Sequence, residues 1–287
     1  MKNKGLTITM IIEAEGANYG EGFGNITTLK KLTRGDGNSY SYISRQAIRY
    51  NIVEQMGCDN TPVQAIGTGE KKVIQFDPNA TITDYPEIDL FGYMKTESGK
   101  GANTRNAVVR LSNAISLEEY NSDMDFLTNA GLARRADSNN SIAQSEIHKS
   151  YYSYTVTIDL DKIGIDGEID LPEEEKKRRI KKLLTTIQFL YRDIRGRREN
   201  LAPIFIIGGI YNRKNPYFEN RVKLEQNKLK WEILKEIIEE GEDTKNNTQV
   251  GYIDGIFENN SKIKEELKTV SISEFFNNLI SKIEEEC

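Results

Sequence analysis

The sequence has few of the residues that build most metal, redox and nucleophile sites. Its 287 residues include one histidine, His148, and two cysteines, Cys58 and Cys287. A zinc site draws its ligands from several His or Cys side chains, and a Ser-His-Asp triad needs a histidine with its partners. A disulfide framework needs several cysteine pairs. These counts argue against zinc chemistry, histidine-based catalysis and a disulfide-stabilised fold, and we expect no cofactor.

Long apolar runs are also missing. The run from Leu6 to Ile12 ends at Glu13, whereas a transmembrane helix needs about 20 apolar residues. The same run is too short and too polar for a signal peptide, and no small-residue cleavage site follows it. We therefore expect a cytoplasmic protein that has no membrane partner.

Charge is abundant, and it is unevenly distributed. Lys and Arg number 39 against 44 Asp and Glu, a net charge of −5. Residues 176–198 carry 10 − 1 = +9, residues 30–49 carry 5 − 1 = +4, and residues 232–287 carry 6 − 14 = −8. A mildly acidic average argues against a nucleic-acid binder, but local basic segments are what phosphate binding requires. We expect a basic surface that faces phosphate and an acidic surface that faces outward or toward another subunit.

Apolar periodicity predicts a core of six elements. Alternating or short apolar runs predict strands at residues 6–13, 106–117, 151–160 and 202–211. Helices are predicted at 41–56 and from Pro172 to about 194, the second with acidic residues in its first turn. This order predicts an α+β fold with the βαββαβ sheet of ferredoxin-like and RRM proteins.

The remaining segments are predicted to decorate one domain that spans residues 1–287. Residues 57–105 have no clear period, and residues 118–149 read as a long polar loop. Residues 223–287 predict a helical C-terminal extension, with helices at about 226–240 and 272–286. A capping box of Ser271 and Glu274 opens the last helix.

Several basic and aromatic groups have two interpretations each. Arg45 and Arg49 lie one helical turn apart, so they could contact neighbouring phosphates or pair with carboxylates. The basic face of helix 173–194 is either a phosphate surface or a solvated one, and the 195–200 loop suits a wrapped phosphate backbone. Tyr151, Tyr152 and Tyr154 could stack on bases or pack in the core.

Several motifs together resemble a known family. The segment 32–49, which runs into Ser44-Arg-Gln-Ala-Ile-Arg-Tyr50, resembles the loop and first helix of the CRISPR Cascade backbone subunit, the "Cas-seven" family, in its type I-B DevR-like branch. Asp89-Leu-Phe-Gly-Tyr-Met94 is similar to its Leu-Phe-Gly motif, and the segment from Met124 to Tyr151 is similar to its thumb. The resemblance covers most of residues 5–222. It departs from the family's helix signature at Arg45, in place of a serine, and at Tyr50, in place of a basic residue.

The resemblance implies an RRM-like palm with a finger insertion at 57–105 and a thumb insertion at 118–149. Copies would stack helically along one CRISPR guide RNA, together with other Cascade subunits, and the guide would pair with target DNA in antiviral defence. No catalysis is implied. The residues that would contact the guide are Asn18, Arg34, Arg45, Gln46, Arg49, Arg134, Arg135, Arg197, Arg198 and Asn200.

Two other functions stay open. Related backbone subunits of type III complexes cut target RNA with a loop aspartate, and Asp36 lies in a comparable loop. The DevR name suggests an autoregulatory DNA-binding repressor, although no helix-turn-helix is evident in the sequence.

Overall fold

The computed structural model describes residues 4–15, 18–67, 72–97 and 101–286. The strands of the N-terminal part are β1 (Gly5–Ala14), β2 (Tyr19–Phe23), β3 (Ile26–Leu29), β4 (Lys31–Thr33), β5 (Ser39–Ile43), β6 (Val63–Ile66), β7 (Val73–Phe76), β8 (Tyr93–Glu97), β9 (Gly101–Arg105), β10 (Val109–Leu111) and β11 (Ala114–Ser116). The strands that follow are β12 (Asp123–Thr128), β13 (Ile142–Ile147), β14 (Ser150–Asp159), β15 (Ile165–Asp166), β16 (Ile169–Asp170), β17 (Tyr191–Ile194), β18 (Arg197–Asn200), β19 (Phe205–Tyr211), β20 (Leu224–Glu225), β21 (Lys228–Leu229) and β22 (Gln249–Tyr252). The α-helices are α1 (Arg45–Gln55), α2 (Pro86–Phe91), α3 (Ala130–Arg135), α4 (Glu173–Gln188), α5 (Trp231–Glu239), α6 (Glu242–Asn247), α7 (Asn260–Leu267) and α8 (Ile272–Glu286).

A central antiparallel sheet organises this mixed α+β fold. Its strands lie in the order β22-β19-β1-β14-β11-β5-β4, and β10 also lies beside β14. The middle strand β1 pairs with β14 over its whole length and with β19 over most of it. The strands predicted at 6–13, 151–160 and 202–211 are therefore confirmed.

The two faces of this sheet bury different apolar clusters. Leu6, Ile8 and Met10 of β1 pack on one face with the apolar sides of α1, α4 and α8. Ile11 points to the other face, where Phe205 joins a second cluster that includes residues of α5 and α7. The two-residue alternation of β1 thus supplies both cores.

Two predicted helices are shorter than expected because strands flank them. The first helix begins at Arg45 rather than 41, because residues 39–43 form β5 and Ser44 caps the helix. The second ends at Gln188 rather than near 194, because β17 and β18 form a hairpin. Arg195 and Gly196 connect this hairpin with positive φ angles of 52° and 76°, as a type I′ turn requires.

The strand predicted at 106–117 is divided into β10 and β11 by a bulge. Val109 lies opposite Ile158, whereas Ile115 lies opposite Ser153, so the register shifts by one residue between them. Ser112 bridges the shift, since its N–H donates to the Thr155 carbonyl (3.0 Å) and its Oγ accepts from the Thr155 N–H (2.9 Å). Bulges of this kind redirect neighbouring side chains.

The segments predicted as irregular contain regular structure. Residues 118–149, expected to be a loop, form the β12–β13 hairpin with α3 at its tip. This hairpin extends a second sheet in the order β12-β13-β3-β2. The part of residues 57–105 that the structure describes forms the hairpins β6–β7 and β8–β9 around α2. β12 escaped prediction because its residues are exposed on both faces and show no amphipathic period.

The C-terminal region is not solely helical. The helix predicted at 272–286 is confirmed as α8, with the Glu274 N–H donating to Ser271 Oγ (3.1 Å). The helix predicted at 226–240 begins later, at Trp231. Between them β22 joins the central sheet beside β19. None of the helices in the described ranges combines the length and the apolarity that crossing a membrane requires.

Candidate functional site

A cleft of about 770 Å³ lies against the central sheet on the face opposite α1 and α4. Five basic side chains and one acidic one, Glu219, line it together with small polar residues of β14. We call it the basic cleft, after its basic residues Arg34, Arg45, Arg110, Lys214 and Lys223.

The basic cleft is open because β14 carries small polar side chains on this face. Ser153, Thr155 and Thr157 line its floor, whereas the alternate residues of β14 are buried in the core on the other face. The Thr155 hydroxyl lies 2.8 Å from that of Thr9 in the neighbouring strand. A polar floor of this size suits a ligand with hydrogen-bonding groups better than an apolar one.

The N-terminus of α1 is held at the cleft by two asparagines. The Ser44 N–H and hydroxyl both donate to Asn18 Oδ1. The Arg45 N–H donates to Asn113 Oδ1 (2.9 Å), which the bulge after β10 brings into position. Because side chains occupy these amides, an anion at this end of the cleft would be bound by the Arg45 side chain rather than by the amides.

The five bases of the cleft fall into two groups. Arg110 donates to Asp159 (3.0 Å), and Lys214 donates to Asp161. Arg34, Arg45 and Lys223 form no ion pair with any carboxylate in the described part of the chain. The basic cleft therefore has positive charge available to a ligand.

Two carboxyl groups near the cleft, those of Asp159 and Asp36, have lowered pKa values. Burial alone would raise the pKa of the Asp159 carboxyl, but the Arg110 hydrogen bond and nearby lysines lower it overall. In the turn between β4 and β5, the Asn38 N–H and the Tyr40 hydroxyl lower the pKa of Asp36. The Arg34 guanidinium lies 4.1 Å from the centre of the Tyr40 ring. Both carboxylates thus remain charged and engaged in local bonds.

The other predicted residues near α1 and in the β12–β13 hairpin lie outside the cleft. Gln46 is exposed beside Arg45 but does not line it. Arg49 points away, toward Glu87 Oε1 (3.4 Å) and the Phe91 ring (5.0 Å). Arg134 and Arg135 are exposed on α3. Of the two interpretations that their spacing left open, Arg49 follows the carboxylate one, whereas Arg45 lines the cleft.

The predicted residues of the β17–β18 hairpin form hydrogen bonds with neighbouring groups of the same chain. Arg197 donates to Glu15 (2.9 Å) and to Glu199 (3.0 Å). Arg198 donates twice to Asp193, at 2.9 Å each. Asn200 Oδ1 accepts from the Ala202 N–H (2.9 Å). These three residues do not line the basic cleft, and their contact with the guide stays a prediction.

Most bases of the basic segment, residues 176–198, likewise pair with carboxylates of the same chain. Its deepest member is Arg179, which is 2% exposed and donates to Asp89 (2.8 Å), a fully buried carboxylate also bound by Arg105 (2.6 Å). On the outer side, Lys181 pairs with Glu284 of α8 (3.0 Å). The residues of the segment that form an ion pair are Lys176, Lys177, Arg178, Arg179, Lys181, Arg192, Arg197 and Arg198.

The structure decides between stacking and core packing for two of the three tyrosines, whereas the third, Tyr151, is half-buried and packs edge-on against Phe257, with 5.4 Å between the ring centres. Tyr152 and Tyr154 are buried in the core on the helix-covered face, so they are not exposed for base stacking. His148 is buried beside them, with Nδ1 2.7 Å from Ser41 Oγ. No group of three or more His, Cys, Asp or Glu side chains suited to a metal ion occurs in the described ranges.

Sequence reasoning missed Arg110, Asn113, Lys214 and Lys223. Arg110 is a single base in an otherwise apolar strand segment, which is a signal that a residue faces a polar site. Lys214 and Lys223 flank a segment without helix or strand period after the central strand β19. Their approach to Arg45 depends on the sheet order, which no local pattern encodes.

Comparison with known proteins gives a family and a fold. Residues 6–230 match the sequence profile of the family described as "CRISPR-associated negative auto-regulator DevR/Csa2". A solved structure titled "CRISPR RNA-guided surveillance complex, pre-nicking" superposes with a TM-score of 0.64 at 10% identity, covering 97% of this chain and 100% of that one. A second, "CRISPR RNA-guided surveillance complex", gives 0.60 at 12% identity, covering 97% and 99%. No curated protein sequence matches.

Proposed function

Because the chain belongs to the CRISPR-associated DevR/Csa2 family, we propose that it is a guide-RNA-binding backbone subunit of a type I-B surveillance complex. Copies of the chain assemble side by side along one guide RNA in the cytoplasm, together with other subunits of the complex. The guide then selects target DNA by base pairing, and the protein contacts backbone and shape.

The basic cleft is the observation that carries this proposal. Arg34, Arg45 and Lys223 offer three cations without an ion-pair partner among the described residues, above a floor of hydroxyl groups. Phosphates are bound by such cations, and hydroxyl side chains contact sugar and phosphate oxygens without reading sequence. A subunit that must accept any guide sequence needs this kind of surface.

The topology supports an RRM-like palm. The four core strands that flank α1 and α4 lie in the order β19-β1-β14-β11, with every neighbouring pair antiparallel. This is the arrangement of ferredoxin-like and RRM sheets. The β12–β13 hairpin would serve as the thumb, and the hairpins around α2 as the finger.

We propose that this subunit does not cut RNA. Asp36, the candidate for metal-dependent cleavage, accepts hydrogen bonds from the Asn38 N–H (2.9 Å) and the Tyr40 hydroxyl (2.8 Å). These bonds give it a structural role in the turn that carries Arg34. Incubation with RNA and Mg²⁺ or Mn²⁺ should leave the RNA intact, and cleavage that Asp36→Asn abolishes would refute this part of the proposal.

The function is tested by RNA retention and salt dependence. Protein expressed with a CRISPR array should purify with RNA of defined length, and its affinity for single-stranded RNA should fall steeply with salt. Arg45→Ala should reduce the slope of log K against log salt by about 0.7, the value for one phosphate contact on a single strand. Lys262→Ala, an exposed site on α7 paired with Glu265, is the matched control. Wild-type protein that binds no RNA would refute the proposal.

The printed family description favours a second candidate, negative autoregulation of transcription. On this reading the basic cleft binds duplex DNA upstream of the protein's own gene. A footprint on that promoter without guide RNA would support it. Equal affinity for unrelated duplexes, at one tenth or less of the affinity for RNA, would exclude it.

A further inference from the structure

The tip of the β17–β18 hairpin reaches across to the second sheet. Arg195 occupies the first position of the turn, at a φ of 52°, a conformation that non-glycine residues seldom adopt. Its Nη1 donates to Ser145 Oγ of β13, and its guanidinium lies 4.1 Å from the centre of the Tyr19 ring of β2. Unlike eight of the other bases of segment 176–198, Arg195 has no carboxylate partner in the described ranges.

The two contacts of Arg195 lie on an inner strand, β13, and on an edge strand, β2, of the second sheet. Ser145 is 3% exposed and lies opposite Thr27 of β3 and Asp125 of β12. Tyr19 belongs to the first strand of the second sheet and pairs with Leu29. One side chain therefore bridges β13 to β2 and joins both to the hairpin that follows α4.

A second set of bonds anchors the base of the same hairpin. Glu199 accepts from the Glu15 N–H (2.8 Å) and from Arg192, and Arg197 donates to both Glu15 and Glu199. These groups fix the end of β1 just before the chain enters β2. The hairpin is thus anchored to the body of the protein at its base and to the second sheet at its tip.

This bridge is directly connected to the basic cleft. Tyr19, which the Arg195 guanidinium covers, follows Asn18, whose Oδ1 accepts from the Ser44 N–H and hydroxyl at the start of α1. At the other end of the β2–β3 hairpin, the chain continues into β4 and the turn that carries Arg34. Movement of the second sheet would therefore displace both sides of the cleft.

We propose that Arg195 is a positioning residue, which clamps the second sheet to the β17–β18 hairpin and so sets the placement of Arg34 and Arg45 in the basic cleft. Its consequence for RNA rests on the proposed function, whereas the clamp itself can be measured without RNA. An arginine suits this role because its planar group stacks on an aromatic ring while its N–H groups donate in the ring plane. A lysine cannot do both.

The clamp is tested by amide hydrogen exchange of the RNA-free protein. Arg195→Ala and Arg195→Lys should speed exchange about tenfold in β2, β3 and β13, the effect of losing one charge-assisted bond and one stacked ring. Exchange in β1 and β14 should stay at the wild-type rate. Arg198→Ala is the matched control, because it removes the same charge from the same hairpin but its partner Asp193 lies within that hairpin.

Variants of the two partners keep the test decisive if Arg195→Ala folds poorly. Tyr19→Phe keeps the ring and should leave exchange unchanged, whereas Tyr19→Leu should reproduce the effect of Arg195→Lys. In the double variant Arg195→Lys with Tyr19→Leu, the amides of β2, β3 and β13 should exchange no faster than in either single variant. Unchanged exchange in β2, β3 and β13, or a uniform increase that includes β1 and β14, would overturn the clamp.

RNA binding then separates positioning from direct contact. Arg195→Ala should weaken binding of oligouridine several-fold but leave the slope of log K against log salt unchanged, because Arg34 and Arg45 still reach phosphate in the bound state and only their placement in the free protein is lost. A slope reduced by about 0.7 would mean that Arg195 itself contacts phosphate, which contradicts the proposal. If the wild-type protein binds no RNA, the proposed function fails, and the exchange experiment alone decides whether the clamp exists.

Discussion

Segment 176–198 holds ten basic residues, eight of which pair with carboxylates of the same chain. The basic cleft holds five, of which Arg34, Arg45 and Lys223 have no such partner in the described ranges. The region with more charge therefore has less of it available to a ligand. Positive charge in a window of sequence is a poor guide to binding when the balancing carboxylates lie outside that window.

The carboxylates that pair with the bases of α4 come from three places: the residues just before the basic run, α2 and α8. Glu175 directly precedes the basic run and pairs with Arg178 (2.6 Å) and Arg179 (2.7 Å). Asp89 approaches from α2, and Glu284 approaches from α8. One carboxylate of the acidic C-terminal region, Glu284, thus pairs with a base of α4.

The largest effect on stability is expected from removing the deepest base of the segment. Arg179→Ala leaves Asp89 with an incomplete set of partners in a fully buried site, so we expect a loss of about 3–5 kcal/mol in the free energy of unfolding. Urea denaturation measures it. Arg178→Ala, whose side chain is 57% exposed, is the control and should cost less than about 1 kcal/mol. Equal losses would show that burial does not distinguish the two.

The next effect is a pH dependence in the same helix. Hydrogen bonds from Arg178 and Arg179 lower the pKa of Glu175 to about 2, below the unfolded value of about 4.3. The folded state therefore binds fewer protons, so this stabilisation is present above about pH 4.3 and is lost as the pH falls toward about 2.

Glu175→Gln tests this by urea denaturation at several pH values. The variant should be less stable than wild type at neutral pH by about 1–2 kcal/mol, discounted for partial exposure, and the difference should shrink as the pH falls. Glu174→Gln, whose side chain is 89% exposed, should show neither effect. A difference that grows at low pH would contradict the assignment.

A smaller effect is expected where α1 meets the cleft. Ser44 caps the helix, with its Oγ accepting from the Ala47 N–H (3.3 Å) and donating to Asn18. Ser44→Ala should cost about 1 kcal/mol in the free energy of unfolding. If the cap also places Arg45, RNA affinity should fall as well, whereas Ser138→Ala, at an exposed position after α3, should change neither quantity. Loss of stability without loss of affinity would separate the cap from the cleft.

The smallest effect belongs to the surface pairs of the segment. Arg198→Ala removes an exposed pair with Asp193, and water and salt screen such pairs so that they contribute little to stability. We expect no measurable change in unfolding free energy and less than a twofold change in RNA affinity. A larger loss of affinity would show that Arg198 contacts RNA, as the sequence predicted.

Much of the central sheet was predictable because its strands have simple patterns. Leu6, Ile8 and Met10 alternate along β1, and β19 is a short apolar run between polar segments. The helix boundaries were less accurate, since no Gly or Pro between Gly37 and Gly57 marks where β5 ends and α1 begins. The β12–β13 hairpin gave no signal, because Met124 and Phe126 are exposed and no buried face imposes a period.

The candidate site was predictable only in part. Arg34 and Arg45 were identified through the resemblance, and they do line one cleft. Arg110 and Lys223 were not, because they lie far from Arg45 in sequence and meet it only through strand order. Arg197 stood out by its basic neighbours, but its partner Glu15 lies 182 positions away, beyond the reach of any local count.

We propose that RNA binds in the basic cleft rather than on segment 176–198, and two triple variants that remove equal charge distinguish these surfaces. The cleft variant removes three charges from the basic cleft through Arg34→Ala, Arg45→Ala and Lys223→Ala. The segment variant removes three charges from the exposed side of the segment through Arg178→Ala, Lys182→Ala and Arg198→Ala. Both are titrated with single-stranded RNA across a range of salt concentrations. The cleft variant should bind RNA roughly a hundredfold more weakly, because each lost contact costs about 1 kcal/mol. Its slope of log K against log salt should fall by about 2. The segment variant should stay within about threefold of wild type, and the opposite ranking would contradict the account.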